Sequence, residues 1–522
     1  MRSGAWRGWL SAVILAVVLV WSAQGTNFSF QQLQAGMPDI AHFLRKLFPT
    51  EEHPWDTEYL GRVIAVKLLE TLRLALASSF LGALLAVPFT LIGARTLARP
   101  TLYRIGRGIL NFLRSIPDLV LATIFVAAFG IGPVPGFFAL LFFSFGVVAK
   151  LLCDTIETID PAPMEAITAA GGTRLQQARY AVLPQVLGEL IAYTLYAFEI
   201  NIRSAAVLGF VGAGGIGFTL QTEFGRLRYD RIGMIITATF VVVFGIDALS
   251  TAIRGRLQAG GRASMGGGLT TVKQTLGIVV PALALFWSLA ALELSGERLW
   301  SAFPKIGLLL KAMLFPPDLA ILPKVLSGLR ESLQIAALGT FFAALLALPF
   351  GVLAARNLAR LPALPYLGKT ILNAIRTFPE LVLAIAFLKA VGLGPFPGVL
   401  AMAIHSIGMM GKLYAERIEN VDKGAVEALQ ATGASSLEIF RHGIVPEVLP
   451  DFLSFALYRF DLNVRAASVL GLVGAGGIGV LLDIQRKSGA SAYPAVGTIV
   501  IGIIATVMLV DFFSAKLRAR LA

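Results

Sequence analysis

The sequence predicts an all-α membrane protein of about twelve transmembrane helices, arranged as two parallel six-helix repeats. Three observations carry that prediction: an apolar composition, a series of stretches long enough to cross a bilayer, and internal matches at one fixed offset. Of 522 residues, 56% are hydrophobic and 14% are charged, and the mean hydropathy is +0.77. Soluble proteins average about 25% charged residues, so the groups that keep a surface wet are nearly halved, which excludes an ordinary cytosolic enzyme. The abundance of Leu, Ile, Val and Phe excludes disorder. A single cysteine, Cys153, rules out an intramolecular disulfide and any metal site needing several thiolates. The net charge of +13 does not mark a nucleic-acid surface, because its basic residues are dealt out between apolar runs.

About 20 apolar residues in a helix span the hydrocarbon, and lipid offers no partner to an open strand edge. Spans are predicted at 9–24, 64–92, 109–130, 134–152, 184–208 and 232–253, then at 275–292, 326–354, 371–391, 396–413, 446–470 and 494–513. The first has the basic flank of a secretory signal, Arg2 and Arg7. Its counterpart at 275–292 sits mid-chain behind Lys273 and cannot be one, so both read as retained anchors. Arg95, Arg99, Arg104 and Arg107 crowd one loop, and Arg356, Arg360 and Lys369 its later equivalent. Lys and Arg accumulate on the cytoplasmic side, so both loops and both termini are placed inside.

Residues 110–122 recur at 372–384, 130–136 at 392–398, and 207–217 at 469–479, all at an offset of 262. Three matches in one register establish a duplication. Six spans per half is an even number, so both halves enter the membrane the same way and are related by an axis along the bilayer normal. The chain is a pseudo-dimer made covalent, with a conduit expected on that axis. Its segments are an anchor helix and external loop (1–60), a first repeat (61–256), a linker with a second anchor and loop (257–323) and a second repeat (324–522).

Between the fourth and fifth spans of each half, Glu165-Ala166-x4-Gly171 precedes Pro184 and Glu427-Ala428-x4-Gly433 precedes Pro446, with identical spacing. Ala-rich sequence ahead of Gly predicts a short helix ended by a residue that tolerates positive φ, and each Pro suits the first turn of the next span. These segments resemble the coupling region of permease subunits in ATP-binding cassette importers. Asn201 to Gly217, Asn463 to Gly479 and the Arg-x-x-Pro-(Asp/Glu)-Leu-Val-Leu runs at Arg114 and Arg376 narrow the resemblance to phosphonate and phosphite uptake permeases. The resemblance implies a short helix in each half that docks in a groove of a separate ATPase subunit. It also implies two such subunits, an external substrate-binding protein and a bacterial inner-membrane location. Val445 and Gly443 depart from the usual pattern, so the second copy is expected to dock more weakly.

Arginine inside a span is costly and a functional candidate. Arg114 and Arg376 are placed where a guanidinium fork could offer an oxyanion a transient partner, or could snorkel to the interface. Glu199 precedes Arg203 by four residues and Asp461 precedes Arg465 by four, which puts each pair on one helical face and favours an intrahelical ion pair over substrate contact. Asn201 and Asn463 point to another face and are pathway or interface candidates. The runs Gly212, Gly214, Gly215, Gly217 and Gly474, Gly476, Gly477, Gly479 satisfy a dinucleotide pattern but lack its strand–helix context. They are expected to form broken, closely packed segments at the outer mouth. The Gly-Pro-x-Pro-Gly stretches at 132–136 and 394–398 are expected as tight external hairpins. His42, His53, His405 and His442 show no ligand spacing, Ala363 to Thr370 is a defective P-loop, and no catalytic set emerges.

The expectation is a non-enzymatic importer permease. It binds no cofactor or metal itself, it touches membrane lipid and no nucleic acid, and partner ATPases consume ATP and Mg. Phosphonate, phosphite or phosphate is the expected cargo. A methionine-type permease is the first alternative, and an ion-coupled secondary carrier is a more distant one.

Overall fold

The computed structural model describes residues 5–49, 54–259, 282–290, 292, 296–358, 361 and 363–520. Every regular element among them is helical. The first half contains α1 (Ala5–Gly25), α2 (Phe30–Leu47), α3 (Thr57–Gly93), α4 (Pro100–Ser115), α5 (Asp118–Phe129), α6 (Pro133–Ile156), α7 (Ala162–Ala169), α8 (Arg174–Val211), α9 (Gly215–Gly225) and α10 (Tyr229–Ala259). The second contains α11 (282–290), α12 (Gly296–Leu314), α13 (Leu319–Ala354), α14 (Ala363–Thr377), α15 (Glu380–Val391), α16 (Pro395–Glu419), α17 (Lys423–Ala431), α18 (Phe440–Val473), α19 (Ile478–Lys487) and α20 (Tyr493–Arg518). Each helix of the first half has its equivalent ten labels later.

Among the described residues, seven helices are long and apolar enough to cross a membrane, or up to eleven if each of four bent pairs counts as one span. The expected span at 275–292 lies partly outside the described residues. The third span of each half is broken: α4 meets α5 at 82° and α14 meets α15 at 81°. Pro117 and Pro379 cause the bend, since proline has no N–H to donate and drives the preceding residue from the helical region. Ile116 accordingly sits at φ −82°, ψ 117°. The hairpins at 132–136 and 394–398 are also shorter than expected, because Pro133 and Pro395 already begin α6 and α16. Residues 130–132 and 392–394 make the turn, with Gly130, Gly132, Gly392 and Gly394 at positive φ.

The helices form two compact units, one of Met1–Arg45 with Ala312–Ala522 and the other of Lys46–Lys311. Each repeat therefore packs with the anchor helix that belongs, in chain order, to the other half. In the first unit Gln334 Nε2 donates to the Trp21 carbonyl over 3.0 Å, and Phe28 stacks on Phe342 and meets Phe396 edge-on. In the second, Leu285, Leu289 and Leu292 pack on Leu74, Phe137 and Leu141, and the Arg73 guanidinium lies 4.2 Å from the Trp287 ring centroid. Long apolar side chains such as Leu84, Val241, Leu345 and Phe512 point outward, as a lipid-facing belt requires.

Candidate functional site

The Glu-Ala-x4-Gly segments fold as their composition dictates. Helix α7 ends with Gly171 at φ +74°, whose N–H donates to Thr168 O while Gly172 N–H donates to Ile167 O. Helix α17 ends identically, with Gly433 at φ +79° and bonds to Gln430 O and Leu429 O. Glycine carries no Cβ penalty in this left-handed cap. Glu165, Ala166, Glu427 and Ala428 are all exposed. After each helix comes a reciprocal cap, Thr173 with Gln176 and Ser435 with Glu438. A π-turn follows, Ala178–Val182 or Phe440–Ile444, and places Pro184 and Pro446 in the first turn of the long span. Gly443 has a local reason: a Cβ there would lie 3.0 Å from Leu429 Cδ1, so the bare backbone lets α17 settle on the turn.

Ionic contacts tie this layer to the membrane helices. Arg174 Nη1 donates to Leu97 O over 3.0 Å. Arg107 reaches Asp154 and Glu157, each at 2.7 Å, and Glu157 also accepts the Arg95 backbone N–H at 2.9 Å. The second repeat rebuilds this with Lys369 on Glu419 at 2.9 Å and the Arg356 N–H at 2.9 Å. Burial pushes the Glu157 carboxyl up, but the Arg95 N–H and the Arg107 guanidinium outweigh it and hold the group below the ordinary glutamate range. A carboxyl with a depressed folded value stabilises the protein above its unfolded pKa, and that contribution is lost as pH falls through the folded value. Glu157→Gln should therefore lower the unfolding temperature at pH 7. The gap to the native protein should close on acidification below about pH 4, the unfolded glutamate range; a gap that persists there refutes the clamp.

Within the membrane layer, the expected pairing of Glu199 with Arg203 and of Asp461 with Arg465 is corrected. Glu199 binds Arg254 at 2.7 Å, and Asp461 binds Arg518 at 2.7 Å. Arg203 lies 4.0 Å from Asp247, and Arg465 binds Asp511 at 2.6 Å. Each partner is on the following long span, α10 or α20, so the four charges make a two-rung ladder between neighbouring helices. Helical side chains lean towards the N-terminus, and Arg203 Nε accordingly reaches the Glu199 carbonyl at 3.3 Å and not its carboxylate. The missed residues had a signal, since Asp247 and Arg254 return as Asp511 and Arg518 at one spacing of 264.

Asn201 and Asn463 are buried in the interiors of their own repeats. Asn201 Nδ2 lies 3.1 Å from Ser78 Oγ, 2.7 Å from Ser79 Oγ and 2.6 Å from Ser144 Oγ, joining α3, α6 and α8. Asn463 donates to Thr340 over 2.8 Å and accepts from Ser406 over 3.3 Å. Arg114 and Arg376 are half-buried at the bends, in the last turns of α4 and α14. Glycines make room for both: a Cβ on Gly146 would come within 3.3 Å of Arg114 Cγ, and one on Gly408 within 3.0 Å of Arg376 Cβ.

The glycine runs are broken segments, as expected. Gly212, Gly214 and Gly215 have φ of +90°, +75° and +70°, and Gly474, Gly476 and Gly477 repeat the pattern. Their close approach is literal, because a Cβ on Gly217 would meet Ala206 O at 2.0 Å and one on Gly479 would meet Ser468 O at 2.1 Å. The Gly215 and Ile216 N–H groups at the start of α9 are taken by Glu70 at 3.0 Å and Thr71 at 2.8 Å. Glu331 and Ser332 do the same for Gly477 and Ile478. Side chains thus occupy the helix ends where a dinucleotide pattern would present phosphate donors. Cys153 is buried in apolar packing, and no group of three metal-ligating side chains occurs among the described residues.

Two copies of one helical repeat, each with an exposed short helix beneath a polar-stitched membrane layer, define a duplicated transport permease. The chain belongs to the binding-protein-dependent transport system inner membrane component family, whose model matches residues 68–259 and again 347–522. It is 34% identical over 502 residues to the phosphate-import permease protein PhnE of Mycolicibacterium smegmatis, covering 96% of this chain and 92% of that one. The phosphite transport system permease protein PtxC of Stutzerimonas stutzeri is 40% identical over 225 residues, 43% of this chain and 81% of its own. The putative phosphite transport system permease protein HtxC of the same organism is 38% identical over 241 residues, 46% of this chain and 84% of its own. A multi-pass inner-membrane transport role, rather than an enzymatic one, follows from the family.

Proposed function

We propose that this chain is the complete membrane path of an ATP-binding cassette importer that carries phosphonate, phosphite or phosphate, delivered by an external binding protein. The observation that carries this reading is the match along nearly the whole chain to a phosphate-import permease, with the exposed helix-Gly element present in both halves. Two ATPase subunits dock, one on α7 and one on α17, and consume ATP with Mg; the chain contributes the gated path and the lever. The two repeats act as a pseudo-dimer, Arg114 and Arg376 touch the passing oxyanion, and the glycine segments lie at the outer mouth. Both termini face the cytoplasm, in keeping with the basic loops around Arg99 and Arg356. Work against a gradient comes from partners that bind one access state better than the other.

The test is reconstitution with a cognate ATPase and binding protein, scored by ATP-dependent uptake of phosphate, phosphite and methylphosphonate against methionine. Uptake of an oxyanion alone supports the reading. Methionine uptake, or uptake without the ATPase, overturns it.

A further inference from the structure

The two repeats differ at several polar positions, and one of these is buried in a long span. Arg459 lies in the middle of α18 and is only 7% exposed. Its Nε donates to Ser406 Oγ over 2.7 Å, and Nη1 lies 3.5 Å from the Met409 thioether. No carboxylate pairs with it among the described residues, and Nη2 has no hydrogen-bond partner there. Glu380, at the start of α15, and Tyr458 act on it only through space. Four other arginines of these long spans have an acid within 4.0 Å, Arg203, Arg254, Arg465 and Arg518, and Arg73 lies on the Trp287 ring.

At the offset that aligns the repeats, Arg459 corresponds to Ala197, His405 to Phe143 and Lys389 to Ala127. Ala197 is fully buried. In the first repeat the Asn201 knot closes on three serines, whereas in the second the chain Arg459–Ser406–Asn463–Thr340 leaves a guanidinium at its open end. A buried cation without an acid is costly, and a dianionic or monoanionic oxyanion with hydrogen-bonding oxygens relieves that cost.

We propose that Arg459 is an anion-binding residue of the second repeat, which holds the translocating phosphate-class oxyanion during passage and makes the two halves chemically unequal. This rests on the importer reading above. The oxyanion takes the free face of the guanidinium while Ser406 keeps Nε fixed, and it competes with the longer-range field of Glu380. The first repeat, with Ala197 at the same place, offers no such partner.

The test uses the complete importer in proteoliposomes, with inorganic phosphate and methylphosphonate as probes. Arg459→Met keeps the length and removes the charge. It should lower oxyanion moved per ATP hydrolysed by about tenfold or more, the size of one charge-assisted hydrogen bond, while Arg459→Lys retains most of it. A defect of folding alone would lower transport and hydrolysis together and leave their ratio unchanged. Arg459→Cys in a Cys153→Ser background adds a chemical control: a cationic methanethiosulfonate should restore the ratio and an anionic one should not. An unchanged ratio in Arg459→Met, or equal restoration by both reagents, overturns the site. If the native importer moves neither probe, the importer reading fails and the site falls with it. If the native importer moves them and Arg459→Met moves them equally well, only the site fails.

Discussion

Replacing Glu165 and Glu427 together by alanine should reduce ATP-driven uptake by at least about thirtyfold, the cost of losing a hot-spot contact in a docked helix. The permease should still insert and run as a single species in detergent. Neither carboxylate supports the fold: both are exposed, and α7 has no buried residue. Their helices are closed by Gly171 and Gly433 and braced by Met164 and Val426 against the core, so the acids are presented on rigid stubs. A rigid short helix transmits a push, and a loose one does not. The measurement pairs uptake with ATPase binding to the solubilised permease. Glu165→Ala alone should cost more than Glu427→Ala alone, given the weaker docking expected of the second copy. Normal uptake by the double variant would remove α7 and α17 from the drive train.

The second large effect is expected in the charged ladder. Arg254→Ala should destabilise the folded permease by about 3 kcal/mol, the lower end for breaking a buried ion pair. Glu199, with its side chain only 3% exposed, would lose the counter-charge that Arg254 supplies. Arg254 is itself 24% exposed, which argues for the lower end. Replacing both partners, Glu199→Met with Arg254→Met, should recover most of the loss, because two apolar side chains of similar volume leave no orphaned charge. Unfolding followed by temperature in detergent reads both variants. A single variant as stable as the native protein would mean that the pair is ornamental. Asp461 with Arg518 should behave alike, since its geometry repeats at 2.7 Å.

Several elements were legible because their signal is local. Gly171 at the end of an Ala-rich stretch predicts a left-handed cap, and the structure places φ at +74° there. The glycine runs predicted broken backbone and gave it. Pro117 carried the information for the bend at α4, but the hydropathy of 109–130 reads through a single proline, so the span came without its break. Arg459 was equally visible as a charge in the middle of a predicted span, and comparison with Ala197 would have raised it.

From the sequence by itself came the apolar composition, the duplication at an offset of 262, the short helices closed by Gly171 and Gly433 and the family they resemble, because each is written in composition or in runs of consecutive residues. The tertiary structure alone decided that Glu199 binds Arg254 and not Arg203, that Asn201 ties three helices, and that each anchor helix packs with the repeat of the other half. Those outcomes turn on the register between helices tens of residues apart. Spacing within one helix specifies which face a side chain occupies, but the neighbour that meets that face is chosen only when the helices pack.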